Sequence, residues 1–268
     1  MTYIRSSQPS HTAGRAALLI AGLITLTACA TTSSPATALG QDKATLATCD
    51  SQHAPASWVA IDGTGSSAAD SIYKERLAAI ESITRTTAIC SGYLRVIVFS
   101  ASSVATTVLY DGSLAQPGAT ENARLLRVPG AVASVMNQVK KGYGPAVAGL
   151  DPRDSDILGQ YANAAQWTEQ LGGSYRLHLY LLTDGFETAH FNFYAQPPTP
   201  GDAAGLAQQV SLPSLPGAIV VAAGLGREVG PSAPSTVVDG LVAFYNAVCH
   251  RTGAAKCVSV SDYQAAGK

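Results

Sequence analysis

With 268 residues, 47% of them apolar and 13% charged, the chain is long enough for one α/β domain plus extensions and can bury a core. Lys plus Arg (17) nearly balance Asp plus Glu (18), so the formal charge of −1 offers no attraction to nucleic acid or to an anionic membrane face. Aromatic side chains, at 7%, are too sparse for a base-stacking platform.

Arg5 and Arg15 precede a short apolar run, Ala16 to Ala28, which closes as Leu26-Thr27-Ala28-Cys29. A bilayer span needs about 20 apolar residues, so this run is too short to cross. A basic start, a short apolar stretch and small residues before a cut predict a secretory signal over residues 1–28. Leu26-Thr27-Ala28-Cys29 resembles a bacterial lipobox. The resemblance implies that Cys29 becomes the acylated first residue of an extracytoplasmic lipoprotein, anchored to the cell membrane by its lipid, palmitate included. Residues 29–48, rich in Thr, Ser, Ala and Pro, are expected to form a flexible tether. The folded domain is expected over 49–263, with a short tail at 264–268. The remaining cysteines (Cys49, Cys90, Cys249 and Cys257) are even in number, which in an exported chain predicts two disulfides with three possible connectivities. Cys49–Cys90 and Cys249–Cys257 are favoured. The first pair should meet at one edge of a βαβ unit, and the second is separated by one short loop.

In the domain, Trp58-Val59-Ala60-Ile61 has the pattern of a strand buried on both faces. It ends at Asp62, followed by the turn Gly63-Thr64-Gly65-Ser66-Ser67. A helix is predicted over 67–89 with a buried stripe at Tyr73, Leu77, Ile80 and Thr84. Tyr93 to Ser100 forms a central strand, and Val104 to Tyr110 an edge strand antiparallel to it. Pro129 opens a helix that Tyr143-Gly144-Pro145 interrupts, and a second helix begins at Ile157. Strands follow at Arg176–Thr183 and Ala218–Ala223, a helix at Val237–Cys249 and a last short strand at Cys257–Val260. Strands and helices in this order predict an α/β fold, with a doubly wound, mostly parallel sheet flanked by helices and one short antiparallel edge strand.

Asp62-x-Thr64-x-Ser66 resembles the D-x-[ST]-x-S signature of von Willebrand factor A domains, and Thr183-Asp184-Gly185 after a second buried strand resembles that family's second mark. The resemblance implies that Asp62 and Asp184 converge at neighbouring strand ends to form a metal-ion-dependent adhesion site. Thr64 and Ser66 would bind the ion directly, and the two aspartates through water. Ser155, in Asp154-Ser155-Asp156, would stand for the family's third-loop threonine. Oxygen donors without thiolate or imidazole select a hard cation, Mg²⁺ first, with Mn²⁺ or Ca²⁺ as substitutes. In the family the ion captures an Asp or Glu of a protein partner, so binding rather than catalysis is expected. The aromatic stretch Phe186 to Tyr194 follows Asp184, and Phe191 and Phe193 are expected to contribute partner contacts.

Two other functions are compatible with parts of this pattern. Gly63-x-Gly65-x-x-Ala68 after a strand matches a dinucleotide fingerprint, which would make the chain an oxidoreductase. The next strand ends Phe99-Ser100-Ala101 and so lacks the acidic residue that would hold the ribose. A domain that keeps the aspartate motif without metal, as a scaffold for envelope assembly, is the other.

Overall fold

The computed structural model describes residues 35–65, 69–102, 106–231 and 233–267. The proposed signal and Cys29 lie outside them. Six strands form one sheet: β1 (Ala54–Asp62), β2 (Tyr93–Phe99), β3 (Thr106–Ser113), β4 (Tyr175–Leu182), β5 (Ile219–Ala223) and β6 (Lys256–Val260). Their order is β3-β2-β1-β4-β5-β6, and all neighbouring pairs are parallel except β2 with β3. The protein is therefore an α/β protein with a mostly parallel sheet and one antiparallel edge strand, as the strand patterns predict.

Period-two alternation divides the core in two. Ala56, Trp58 and Ala60 of β1 face a cluster covered by α5 (Gly159–Leu171), α6 (Ala203–Gln208) and α7 (Ser235–Arg251). Val59 and Ile61 face the opposite cluster, covered by α2 (Asp70–Ile89), α3 (Glu121–Leu125) and α4 (Val128–Ala148). β1 is buried from Pro55 onward, which explains its near-continuous apolar sequence. The buried stripe of α2 runs Ile72, Arg76, Ile80, Ile83 and Thr87. Tyr73 and Leu77 lie beside it and are only partly buried.

Three expectations need correction. Residues 35–46 of the expected tether form helix α1 (Pro35–Leu46). Leu39 and Leu46 pack against the core, and buried Asp42 accepts two hydrogen bonds at 2.9 Å from the Arg85 guanidinium on α2. At the other end, Tyr263–Gly267 forms a 3₁₀ turn instead of a tail. Tyr263 and Ala266 are buried in it, and the Ser82 hydroxyl donates to the Gly267 carbonyl at 2.6 Å. Helix α4 continues through Gly144-Pro145 to Ala148. Pro145 falls in the helix's last turn, so its missing N–H forfeits one bond, to the Lys141 carbonyl, and little helix remains beyond it.

Cys49–Cys90 ties the end of α1 to the end of α2, and Cys249–Cys257 ties α7 to β6. The first closes a sequence separation of 41 residues and the second one of 8. Loop-closure entropy makes the longer crosslink worth about 4 kcal/mol and the shorter about 2.5 kcal/mol. Chemical denaturation of the two double Cys→Ser variants should therefore show the larger loss for Cys49/Cys90. The reverse order would mean that strain or denatured-state structure dominates.

Candidate metal centre

Asp62 closes β1, and Thr183 follows the end of β4 directly. Ile61 and Leu182 are in register, so both chains leave the sheet at the same height. This is the switch point of the sheet, where open α/β folds bind ligands. The local sequence then turns each chain back on itself. The Thr64 N–H donates to Asp62 Oδ1 at 3.0 Å and the Thr64 hydroxyl to the same oxygen at 2.7 Å. In the same way, the Phe186 N–H donates to Asp184 Oδ1 at 3.0 Å and the Gly185 N–H to the Thr183 hydroxyl at 3.0 Å. Gly185 adopts a φ of +86°, and a Cβ there would stand 2.6 Å from Leu225 Cδ2, so the turn requires glycine.

Asp62 is fully buried, and hydroxyls from three parts of the chain meet on its carboxylate. Thr64 binds Oδ1, while Oδ2 accepts from Ser155 Oγ at 3.0 Å and Thr183 Oγ1 at 2.7 Å. Ser155 comes from the loop before α5, which the Asp156 N–H anchors to the Ser100 carbonyl at the end of β2 (2.9 Å). Asp184 is likewise buried, and its Oδ2 accepts from the Tyr194 hydroxyl at 3.3 Å. Its carbonyl accepts the Gly226 N–H at 2.7 Å, which holds the loop after β5 to the same rim.

The structure therefore brings together Asp62, Thr64 and Ser155 of the predicted set, and Asp184 follows Thr183 beside them. Ser66 lies outside the described residues. Burial first, then the carboxylates of Glu187, Asp184 and Asp62, push the Tyr245 phenol well above its usual range. The Tyr263 phenol is pushed up to about 12, by burial first; Arg76 opposes the rise, and Asp184 and Asp62 add to it. Both aspartates thus act on the same two phenols. Three hydroxyls around one buried carboxylate form an all-oxygen donor set that suits a hard cation. A cleft of about 450 Å³, lined by Gly63, Thr64, Tyr73, Lys140 and Tyr143, opens beside Asp62.

Arg76 is the functional neighbour that periodicity missed. It is fully buried, and its Nη1 donates to the Asp62 carbonyl at 2.6 Å and its Nη2 to the Tyr263 hydroxyl at 3.1 Å. Burial works against its charge, but the oxygens of Tyr263, Tyr143 and Asp62 more than offset that and hold the guanidinium above its usual range. The available signal was its spacing, four residues from Ile72 and four from Ile80, which places a cation on an apolar stripe.

Phe191 and Phe193, expected to contribute partner contacts, pack against the core. Phe193 is buried and Phe191 partly so. The two rings stack at 5.1 Å and both pack edge-on against Phe244 at 5.7 and 4.9 Å. Apolar rings beside a core of this size gain more from burial than from exposure. The aromatic residue at the rim is Tyr194, 46% exposed and stacked on Phe186.

Asp156, Glu187 and His190 form a second group, each with one potential ligand atom within 4.8 Å of the others. Their hydrogen bonds give them a structural role. Glu187 Oε2 accepts the Ile157 and Leu158 N–H groups at 2.9 and 3.0 Å, and Oε1 accepts those of Ala189 and His190 at 2.9 and 3.1 Å. Asp156 Oδ1 accepts the Gly159 N–H at 2.8 Å. Together they satisfy the free donors at the start of α5 and pin the loop that carries Ser155.

No protein-family model matches the chain, and no curated protein matches it. A solved structure, proximal thread matrix protein 1 from the mussel byssus, is similar over 82% of this chain and 45% of its own, at 12% identity and a TM-score of 0.34. The chain thus spans less than half the length of that protein.

Glu187→Ala leaves four main-chain donors without their acceptor and should cost at least ~3 kcal/mol of unfolding free energy. Urea titration checks this, and a loss below about 1 kcal/mol would remove Glu187 as the pin of the Ser155 loop.

Proposed function

We propose that this chain is an extracytoplasmic binding module, membrane-anchored through Cys29, that uses a divalent cation at Asp62 and Asp184 to capture an acidic side chain of a protein partner. The observation that carries this reading is the meeting of the Thr64, Ser155 and Thr183 hydroxyls on the buried Asp62 carboxylate. Two further features support the von Willebrand factor A likeness: β1 and β4 are neighbours at the switch point, and β3 runs antiparallel at the edge. In this reading Thr64, Ser66 and Ser155 hold the ion, with Asp62 and Asp184 orienting its water. Mg²⁺ would supply an electrophilic centre for the partner's carboxylate.

A metal-free scaffold is the second reading, and Arg76 favours it, because a buried guanidinium already offsets part of the carboxylate charge. Thermal unfolding with and without MgCl₂ separates the two. At a hundredfold excess over Kd the ion should add about 2.7 kcal/mol of stability to the wild type. Asp184→Asn and Thr64→Ala should lose that increment, and Tyr194→Phe should keep it. A wild type indifferent to Mg²⁺, Mn²⁺ and Ca²⁺ would leave the scaffold.

A further inference from the structure

A second cavity, of about 620 Å³, lies at the amino-terminal end of the strands, away from the aspartates. Side chains on β4, β5 and β6 alternate, so residues two apart share a face. Here Arg176, His178 and Tyr180 share it on β4, Ile219 and Val221 on β5, and Lys256 and Val258 on β6. The register pairs His178 with Ile219, Ile219 with Lys256, Tyr180 with Val221 and Val221 with Val258. His178, Ile219 and Lys256 therefore form one row near the strand starts, with Arg176 two residues further out on β4, and the apolar row Tyr180, Val221 and Val258 lies directly behind it. The walls are the end of α2 with the Cys49–Cys90 disulfide on one side and Ala265 and Ala266 of the 3₁₀ turn on the other.

The charged and titratable groups along the cavity are Arg176, Lys256, His178, His53 and Asp50. Arg176 Nη2 lies 2.9 Å from His53 Nδ1, which also stands 3.3 Å from Asp50 Oδ2. Burial first, then the charges of Arg176 and Lys256, push the His178 imidazole down to about 4. Arg176 and Lys256 set two cations against the single carboxylate of Asp50, and the rim carries net positive charge. Arg176 lies flat against the chain at Gly217, where a Cβ would stand 1.8 Å from its Nη1. Glycine at 217 is what lets the guanidinium reach this position.

Deeper in, there is little to recognise a polar ring. The Thr87 hydroxyl is already bonded to the Ile83 carbonyl at 2.7 Å and lies 2.7 Å from Ser57 Oγ. Tyr180, Ile219, Val221 and Val258 offer only apolar surface or a buried phenol.

We propose that this groove binds a free fatty acid, with Arg176 and Lys256 at its carboxylate and Tyr180, Ile219, Val221 and Val258 along its acyl chain. The volume falls within the roughly 300–1,000 Å³ of small-molecule sites, and charge complementarity selects an anionic over a neutral amphiphile. The proposal is independent of the metal centre.

The full chain should take up the fluorescent fatty acid cis-parinaric acid, and palmitate should displace it. Hexadecanol, with the same chain and no carboxylate, should compete about tenfold less well. Arg176→Gln with Lys256→Gln should weaken palmitate about tenfold and leave hexadecanol unchanged, since a charge-assisted hydrogen bond is what is removed. Raising the salt should weaken palmitate in the wild type alone. Ile219→Trp, at a half-buried site, should block both ligands, and an unchanged melting temperature certifies its fold. Occupancy should also raise the His178 pKa, read by NMR, because the ligand's charge opposes that of its two cationic neighbours. No uptake of parinarate, equal affinity for palmitate and hexadecanol, or rim variants that bind like the wild type would each overturn the proposal. So would a concentration-dependent dimer in sedimentation that fills the groove with a second copy.

Discussion

A carboxylate taken out of water needs hydrogen-bond donors, and the fold around the sheet's carboxyl edge depends on how Asp62 obtains them. One donor is local, since Thr64 lies two residues on and its N–H and hydroxyl close a tight turn. The others require distant chain: Thr183 at the end of β4, and Ser155 from a loop that has no regular structure. The Asp62 carboxylate therefore joins β1, β4 and the loop before α5 at a single point. Glu187 repeats the arrangement one layer out, accepting donors on both sides of the same loop. Both carboxylates depend on the segments they gather.

The charge balance at this edge is uneven. Among the described residues at this edge, Asp62, Asp156, Asp184 and Glu187 are buried, against one buried cation, Arg76. Main-chain donors at the start of α5 account for Glu187 and Asp156, which leaves two aspartates and one guanidinium. Arg76 binds the Asp62 carbonyl from beneath, on the α2 side, and is itself held by Tyr263. Its charge thus lowers the cost of burying the aspartates without removing the residual anionic character that the proposed cation would meet.

The parts of this fold that could be read in the sequence are those whose signal is local. The apolar run Trp58–Ile61 ending in a carboxylate, the Thr183-Asp184-Gly185 turn and the strand alternation identify the sheet and its edge without tertiary information. What escaped reading depends on partners far away in the chain. Pro35–Leu46 has a composition that suits a tether, and it is a helix because Asp42 meets Arg85 and because Leu39 and Leu46 reach the core. Phe191 and Phe193 sit in a loop whose length suggests exposure, yet Phe244, more than fifty residues later, provides the surface they stack on. Arg76 differs, because its place on an i, i+4 apolar stripe was visible. Amphipathic reasoning assigns such a residue to the solvated face, and only the carbonyl and phenol that receive it show otherwise.

Parallel strands also polarise the molecule. Every connection between them crosses the sheet, so the carboxyl edge collects the turns that carry Asp62 and Asp184, and the amino edge collects strand starts such as Arg176 and Lys256. Here the two edges acquire opposite charge, anionic at the switch point and cationic at the groove. The apolar core between them, Val59, Ile61, Leu182 and Ala223, has no ionisable group to relay a charge from one edge to the other. Sites separated in this way should respond additively to substitution.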